Sequence, residues 1–384
     1  MSQQKKALYS VIVDHLLESI RASELRPGDQ IPTEQALSES FNVSRITTTR
    51  AVKELEQMGY VYRVQGKGTF VTEAPPRYAP GTPGQAVSTR MISLVLPFTR
   101  ESGSGYQLLH SVERVCGALG HYFTLHNTEE GFERERETVS GLFDSGKIEG
   151  IVVYPLTSHS NLDVFSRLAV HTFPFVVLDR ELEGIEAPFV GPDNAGGVKS
   201  AVEHLRALGH TRIAYIGDTI HRWTTERERY LGYCRGLIDS GVVLDPRLIH
   251  VFDEPDIGGP AQMVREVAST DAQSEAALRY FRSLDDPPTA VVAVNDILAV
   301  SLVKTALALG VDVPGEISIV GFDDLPISRH VEVPLTTVRQ PFGEIGETVI
   351  RVLHARMADP NGPVEKHKLE CELIPRDSTA PPHR

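Results

Sequence analysis

The 384-residue chain is 41% hydrophobic and 23% charged, the balance of a folded globular protein with room for two or three domains. Its net charge of −13 argues against nucleic acid as a partner of the chain taken whole, and no run approaches the ~18 consecutive apolar residues of a transmembrane helix. Cys116, Cys234 and Cys371 are widely spaced and form no CxxC or Cys/His cluster, so they read as reduced, mostly buried thiols rather than a disulfide framework or a metal site.

The N-terminus is basic and then apolar, but Asp14, His15 and Glu18 interrupt the apolar run and no small-residue cleavage site follows. It reads as an amphipathic helix of a cytoplasmic protein. Leu8, Val11, Ile12, Leu16 and Ile20 recur at helical spacing and predict a helix over 6–23, followed by the turn Arg26-Pro27-Gly28-Asp29. Thr33 is placed to cap a short second helix through Ser40, and Ser44 a third through Met58, with Gly59 at its C-terminus. Two β-rich runs, Tyr60–Val64 and Thr69–Thr72, flank Gln65-Gly66-Lys67-Gly68. Three helices and a hairpin within residues 1–73 are the plan of a winged helix-turn-helix domain.

The third helix concentrates Arg45, Thr47, Thr48, Thr49 and Arg50 in its N-terminal half, while Ala51, Leu55 and Met58 supply a buried face. Arginine donates bidentately to guanine, threonine reaches phosphate or a thymine methyl, and helix N-terminal amides receive phosphate. On the hairpin, Lys67 suits a phosphate and Gln65 a base edge or sugar. Residues 1–78 hold ten Lys/Arg against nine Asp/Glu, and the remainder 28 against 42, so an essentially neutral head joins an acidic body. Between them the segment 74–90, with Pro75, Pro76, Pro80 and Pro83, is too poor in apolar residues to fold and reads as a linker.

From residue 91 to 384 the pattern is strand–helix alternation. Val/Ile-rich runs at 92–98, 122–127, 150–155, 173–179, 212–218, 248–254, 289–296 and 317–324 are separated by helical stretches. That pattern predicts an α/β body of two doubly wound parallel sheets with a ligand cleft between the lobes. The lobes are expected to take 91–193 plus 325–340, and 194–324 plus the C-terminal segment. The chain would cross first near Gly191-Pro192-Asp193-Asn194, with late strands at 335–341 and 368–375. Asn295 and Asp323 close predicted strands and so face the cleft, Arg229 opens a helix beside it, and Asp and Arg are suited to adjacent hydroxyls. Trp223, the single tryptophan, lies in a polar loop and is a candidate platform for a sugar ring.

The stretch PGDQIPTEQALSESFNVSRITTTRAVKELEQMGYVYRVQGKGTFV resembles the winged-helix head of GntR-family bacterial regulators. The resemblance implies a DNA-facing set of Lys5, Glu34, Gln35, Ser44, Arg45, Thr47, Thr48, Arg50, Gln65, Gly66, Lys67 and Gly68. Of these, Arg45, Thr47 and Arg50 would read or anchor the major groove, and Gly66–Gly68 would enter the minor groove. Gln35 stands where many relatives carry Arg, and Thr49 replaces the usual aliphatic residue. The body runs VVLDRE, AVEHLRALGHTRIAYIG, TAVVAVNDILAVSLVKTALALG and VPGEISIVGFDDLPISRHVEVPLTTVRQP resemble the effector domain of LacI/GalR regulators, itself like periplasmic sugar-binding proteins. The combination is similar to the arabinose repressor type. It implies an effector set of Arg229, Asn295 and Asp323, joined by Asp179 and Tyr106; Trp223 joins them as the candidate platform of its polar loop, and Asp324 reads as structural.

The implied function is a repressor on a pseudo-palindromic double-stranded DNA operator, acting as a homodimer and released by a pentose, hexose or related sugar. An alternative effector is a purine or another small polar metabolite. An enzyme is disfavoured, since Gly103-Ser104-Gly105 lacks the third glycine of a dinucleotide fingerprint and no P-loop, HExxH or nucleophile elbow occurs. No cofactor, metal or membrane partner is called for.

Overall fold

The computed structural model describes residues 8–21, 24–57, 60–64, 67–72, 91–97, 103–129, 131–218, 224–252 and 261–383. Lys5, Gln65, Gly66, Trp223, the Gly59 cap and the linker 74–90 lie outside the described residues. The chain divides into two compact units, 1–88 and 89–384.

The first unit contains helices α1 (Leu8–Arg21), α2 (Glu34–Phe41) and α3 (Arg45–Gln57), then strands β1 (Val61–Val64) and β2 (Gly68–Val71). Ile12 and Leu16 of α1 meet Leu37, Ala51, Val52 and Leu55 in a core closed by Val61 and Val71. Val11, expected on the buried stripe, is 39% exposed; the stripe turns instead through Val13 and Leu17. Thr33 caps α2 as its sequence position suggests, accepting from the Ala36 amide at 3.2 Å. The hairpin is antiparallel with Val61 opposite Val71 and Val64 opposite Gly68.

The second unit has two six-stranded sheets, parallel throughout except for β14, which pairs antiparallel with β12. The first lobe is built from β3 (Met91–Leu96), α4 (Gly103–Ala118), β4 (Tyr122–Asn127), α5 (Phe132–Asp144), β5 (Gly150–Val153), α6 (Leu162–Val170), β6 (Phe175–Leu178) and β7 (Phe189–Pro192). The second contains α7 (Asn194–Ala207), β8 (Ile213–Asp218), α8 (Thr224–Asp239), β9 (Ile249–Phe252), α9 (Ala261–Arg282), β10 (Ala290–Ala293), α10 (Asp296–Ala308), β11 (Ser318–Asp323) and β12 (Thr336–Arg339). Then come α11 (Phe342–Ala358), β13 (Lys366–Leu369) and β14 (Glu372–Ile374). The sheet orders are β13-β7-β6-β5-β3-β4 and β14-β12-β11-β10-β8-β9. All-buried strands such as Ile151–Val153 and Ala290–Ala293 have helices on both faces, which is why they read as continuous apolar runs.

The expected division of the lobes needs correction. Residues 336–339 pair in parallel with β11 and belong to the second lobe, not the first. Helix α11 then returns to the first lobe, where Ile345, Val349 and Leu353 share a core with Val112 and Val152. The run at 368–375, expected as one strand, is two: β13 pairs with β7 and β14 with β12. Cys371 turns the chain between them and buries its thiol in the second lobe's core, where burial pushes its pKa up to about 12. Strand β7 was hidden in sequence because Gly191 and Pro192 punctuate only four residues. The described chain therefore passes between the lobes three times, after β7, after β12 and after β13.

Candidate functional site

In the head, Ser44 begins α3: its carbonyl accepts from the Thr47 and Thr48 amides at 2.9 and 3.3 Å, and its hydroxyl shares a 2.9 Å hydrogen bond with that of Thr47. This leaves Arg45 exposed beside the helix N-terminus, where amides and guanidinium together favour an anion. Arg50, also exposed, lays its guanidinium over the Tyr9 ring at 4.1 Å. Ile46 projects into solvent at 82% exposure, a large apolar side chain that the charge-led reading of this helix passed over.

Two residues of the expected DNA-facing set turn inward. Thr48 is fully buried and donates to the Arg45 carbonyl at 2.9 Å, so its side chain cannot meet a phosphate. Glu34 is committed within the head: one carboxylate oxygen accepts from Thr49 and the other from Arg63, both at 2.7 Å. The Thr49 departure is thereby explained, since its hydroxyl ties α3 to α2. Gln35 is exposed and donates to Glu39 at 3.2 Å. On the hairpin, Lys67 is exposed and Gly68 adopts φ +126°. A Cβ at Gly68 would lie 2.2 Å from Gln30, whose amide donates to the Lys67 carbonyl at 3.0 Å.

In the body, the C-terminal ends of β10 and β11 bring a polar group together. Arg229, on α8 and 7% exposed, distributes its donors over three acceptors. These are Asn194 Oδ1 at 2.9 Å, the Val294 carbonyl at 2.7 Å and Asp323 Oδ1 at 3.3 Å. Its guanidinium lies 3.9 Å from the Phe322 ring centroid. Burial raises the pKa of Asp323, and the Arg229 charge and the Gln340 amide work against that rise. Gln340, 6% exposed, donates to Asp323 Oδ1 at 2.6 Å, and its own Oε1 is buried without a partner among the described residues. A cavity of about 500 Å³ opens here, lined by Asp323 and Gln340 together with Gln107, His330, Arg339 and Phe342. Gln340 and Asn194 were missed in sequence, because a lone amide after a strand carries no distinguishing spacing.

The backbone at Asp323 and Asp324 runs at φ +116° and +51°, sparsely populated for non-glycine residues. Asp296 holds it there. Fully buried, Asp296 accepts from the Leu325 amide at 2.7 Å and from the Thr337 hydroxyl. Burial, followed by the nearby Asp323 charge, pushes its pKa up to about 8. Asp324 takes the structural place expected of it, accepting from Arg329, Arg339 and Arg376. Burial raises its pKa, but these guanidinium groups outweigh that and the net direction is down.

Not all the expected effector residues converge. Asn295 caps α10, accepting from the Leu298 amide at 2.9 Å. Asp179, at φ +65° on the first lobe, is close enough for its charge to act on both Arg229 and Asp323 across the cleft. Tyr106 is 73% exposed and stacks on His110 at 6.2 Å, outside the cavity wall that its neighbour Gln107 joins. Chemically, the cavity wall offers the Asp323 carboxyl and the Gln340 carboxamide, with the Arg229 fork behind Asp323, which suits a ligand with several hydroxyls.

Comparison with known proteins agrees with both halves. Residues 8–71 match the family of bacterial regulatory proteins of the gntR type, and residues 202–379 match the periplasmic binding protein-like domain. The arabinose metabolism transcriptional repressor of Geobacillus stearothermophilus is 29% identical over 99% of this chain and 99% of its own. The HTH-type transcriptional regulator MalR of Streptomyces coelicolor is 31% identical over 65% of this chain and 69% of its own. A LacI family regulator from Enterococcus faecium, solved with bound ribose, superposes with a TM-score of 0.61 at 22% identity, over 76% of this chain and 99% of its own. The chain belongs to the bacterial HTH-type transcriptional regulators, joining a gntR-type DNA-binding head to a LacI-type, periplasmic-binding-protein-like body.

Proposed function

We propose that this regulator is a cytoplasmic repressor, released from its operator when a sugar occupies the cleft of the body. The observation that carries the reading is a cavity of about 500 Å³ lined by Asp323 and Gln340, with buried Arg229 holding the Asp323 carboxyl from behind and Gln340 Oε1 without a partner among the described residues. An ionised pair flanked by a neutral amide matches alternating hydroxyl donors and acceptors on a sugar ring. Asp179 faces it from the opposite lobe, so a ligand held by both lobes would favour one lobe arrangement over another. The relatives named for arabinose metabolism, and the ribose bound in the E. faecium regulator, make pentoses the first class to test.

On the DNA side, Arg45, Thr47 and Ile46 face the major groove, with Ser44, Gln35 and Arg50 along the backbone and Lys67 and Gly68 at the wing. Two heads on a body-mediated homodimer would read a pseudo-palindrome. The test is a titration of the full-length protein with a duplex from the DNA upstream of its own gene, with and without L-arabinose, D-xylose, D-ribose and D-galactose, and separately with adenine or guanine. A fall in affinity with one of these supports the reading. A response to purine bases alone would replace the sugar with that second class of effector.

A further inference from the structure

Asn194 opens α7 at the first crossing between the lobes and is 1% exposed. Its carboxamide is used from both ends. Oδ1 accepts from Arg229 Nε at 2.9 Å, and Nδ2 donates to Glu228 Oε2 at 3.3 Å. Those demands fix its orientation, since a flipped amide would turn its N–H toward a guanidinium and its oxygen toward a carboxylate. Glu228 precedes Arg229 on α8, and its other oxygen accepts from Lys368 Nζ at 2.6 Å. Lys368 sits on β13, which belongs to the first lobe's sheet and places it opposite Gly191 of β7. From there Lys368 reaches Glu181 at 3.4 Å, and Glu181 holds Lys366 at 2.5 Å. An unbroken polar chain thus runs from the cleft arginine of the second lobe to the edge of the first lobe's sheet.

We propose that Asn194, Glu228 and Lys368 are positioning residues that couple occupancy of the cleft to the relative placement of the two lobes, and so to release of DNA. The inference rests on the sugar-released reading above. Arg229 keeps Nε on Asn194 while its Nη groups meet Val294 and Asp323, and the Asp323 partnership is the one a hydroxyl-bearing ligand competes for. A ligand that draws the guanidinium into the cleft draws Asn194 and Glu228 with it. Lys368 then either follows, moving β13, or loses its partner. The two ends of the chain differ in the way a switch requires. The Arg229–Asn194 contact is buried and persists, whereas the Glu228–Lys368 side chains are 22% and 43% exposed and their pairing is cheap to break. By reciprocity, separating the lobes at Lys368 loosens Arg229 and weakens the ligand.

The experiment uses the full-length protein, the upstream duplex and the sugar panel headed by L-arabinose. It compares wild type with Lys368→Gln and Glu228→Gln. Sugar binding is read by calorimetry, and coupling by the ratio of operator Kd with and without sugar. Both single variants are expected to bind sugar but to lower that ratio by about threefold or more. A wild type that responds to sugar alongside single variants that keep its full ratio would overturn the coupling chain and leave the sugar reading intact. A wild type whose operator affinity no sugar changes would overturn that reading and the chain with it.

Discussion

At Arg229 the cleft's chemistry depends on one side chain satisfying three acceptors. Arg229→Lys keeps the charge but forfeits the fork, leaving Asn194 and Val294 with fewer donors than they now have. Sugar affinity measured by calorimetry is expected to fall at least about tenfold, the scale of losing one charge-assisted hydrogen bond, while operator binding without sugar stays within a few-fold of wild type. Asp296 makes a prediction of opposite kind. Its folded pKa of about 8 lies above the ordinary 3.8, so across that window the folded state holds a proton the unfolded chain has released. Stability from this group is therefore present at low pH and declines as pH rises from about 4 to about 8. Asp296→Asn can still accept the Leu325 amide, and thermal melts from pH 5 to 8 should show a flatter decline in Tm than wild type. An unchanged slope would remove Asp296 as the titrating group. The legibility of the site divides along the same line. Arg229 and Asp323 stood out because ionic groups next to strand ends have few structural reasons to be there. Gln340 and Asn194 did not, because their importance comes from burial and from partners far away in the chain.

At the scale of the element, α3 separates reading from support. Thr48 and Arg45 lie within one helical turn of each other, yet one is sealed in the head and the other is exposed. Arg45→Ala is expected to cost about 1–3 kcal/mol in operator affinity and to relax base preference in a competition binding assay. Thr48→Val should instead cost about 1 kcal/mol of head stability through the lost hydrogen bond and leave base preference unchanged. Lys67→Ala at the wing should weaken all sequences alike and lower the slope of log affinity against log salt by about 1. The helices and hairpin of the head were readable because caps, periodicity and glycine punctuation agree with one another. The late part of the body was not. Residues 366–369 join the first sheet by pairing with β7, far upstream, whereas 336–339 pair with the nearby β11 and 372–374 with the nearby β12, so distance along the chain does not predict the sheet. Their short runs carry no mark of the partner sheet.

For the whole molecule, charge argues that the head does not act alone. Ten cations against nine anions in residues 1–78 leave little surplus for phosphate, so a single head should bind weakly at physiological salt. Residues 1–75 by themselves are expected to bind the operator at least about a hundredfold more weakly than the full chain if the body supplies dimerisation and so doubles the contacts. Equal affinity for the isolated head would contradict that role for the body. The central claim is that occupancy of the cleft and grip on DNA are linked, and fluorescence anisotropy on the upstream duplex tests it most directly. As L-arabinose and the other sugars are added to the full-length protein, operator affinity should fall by about 5–150-fold for at least one of them. The same sugar should leave the affinity of Arg229→Lys nearly unmoved. Operator binding in wild type that is indifferent to every sugar would contradict the account.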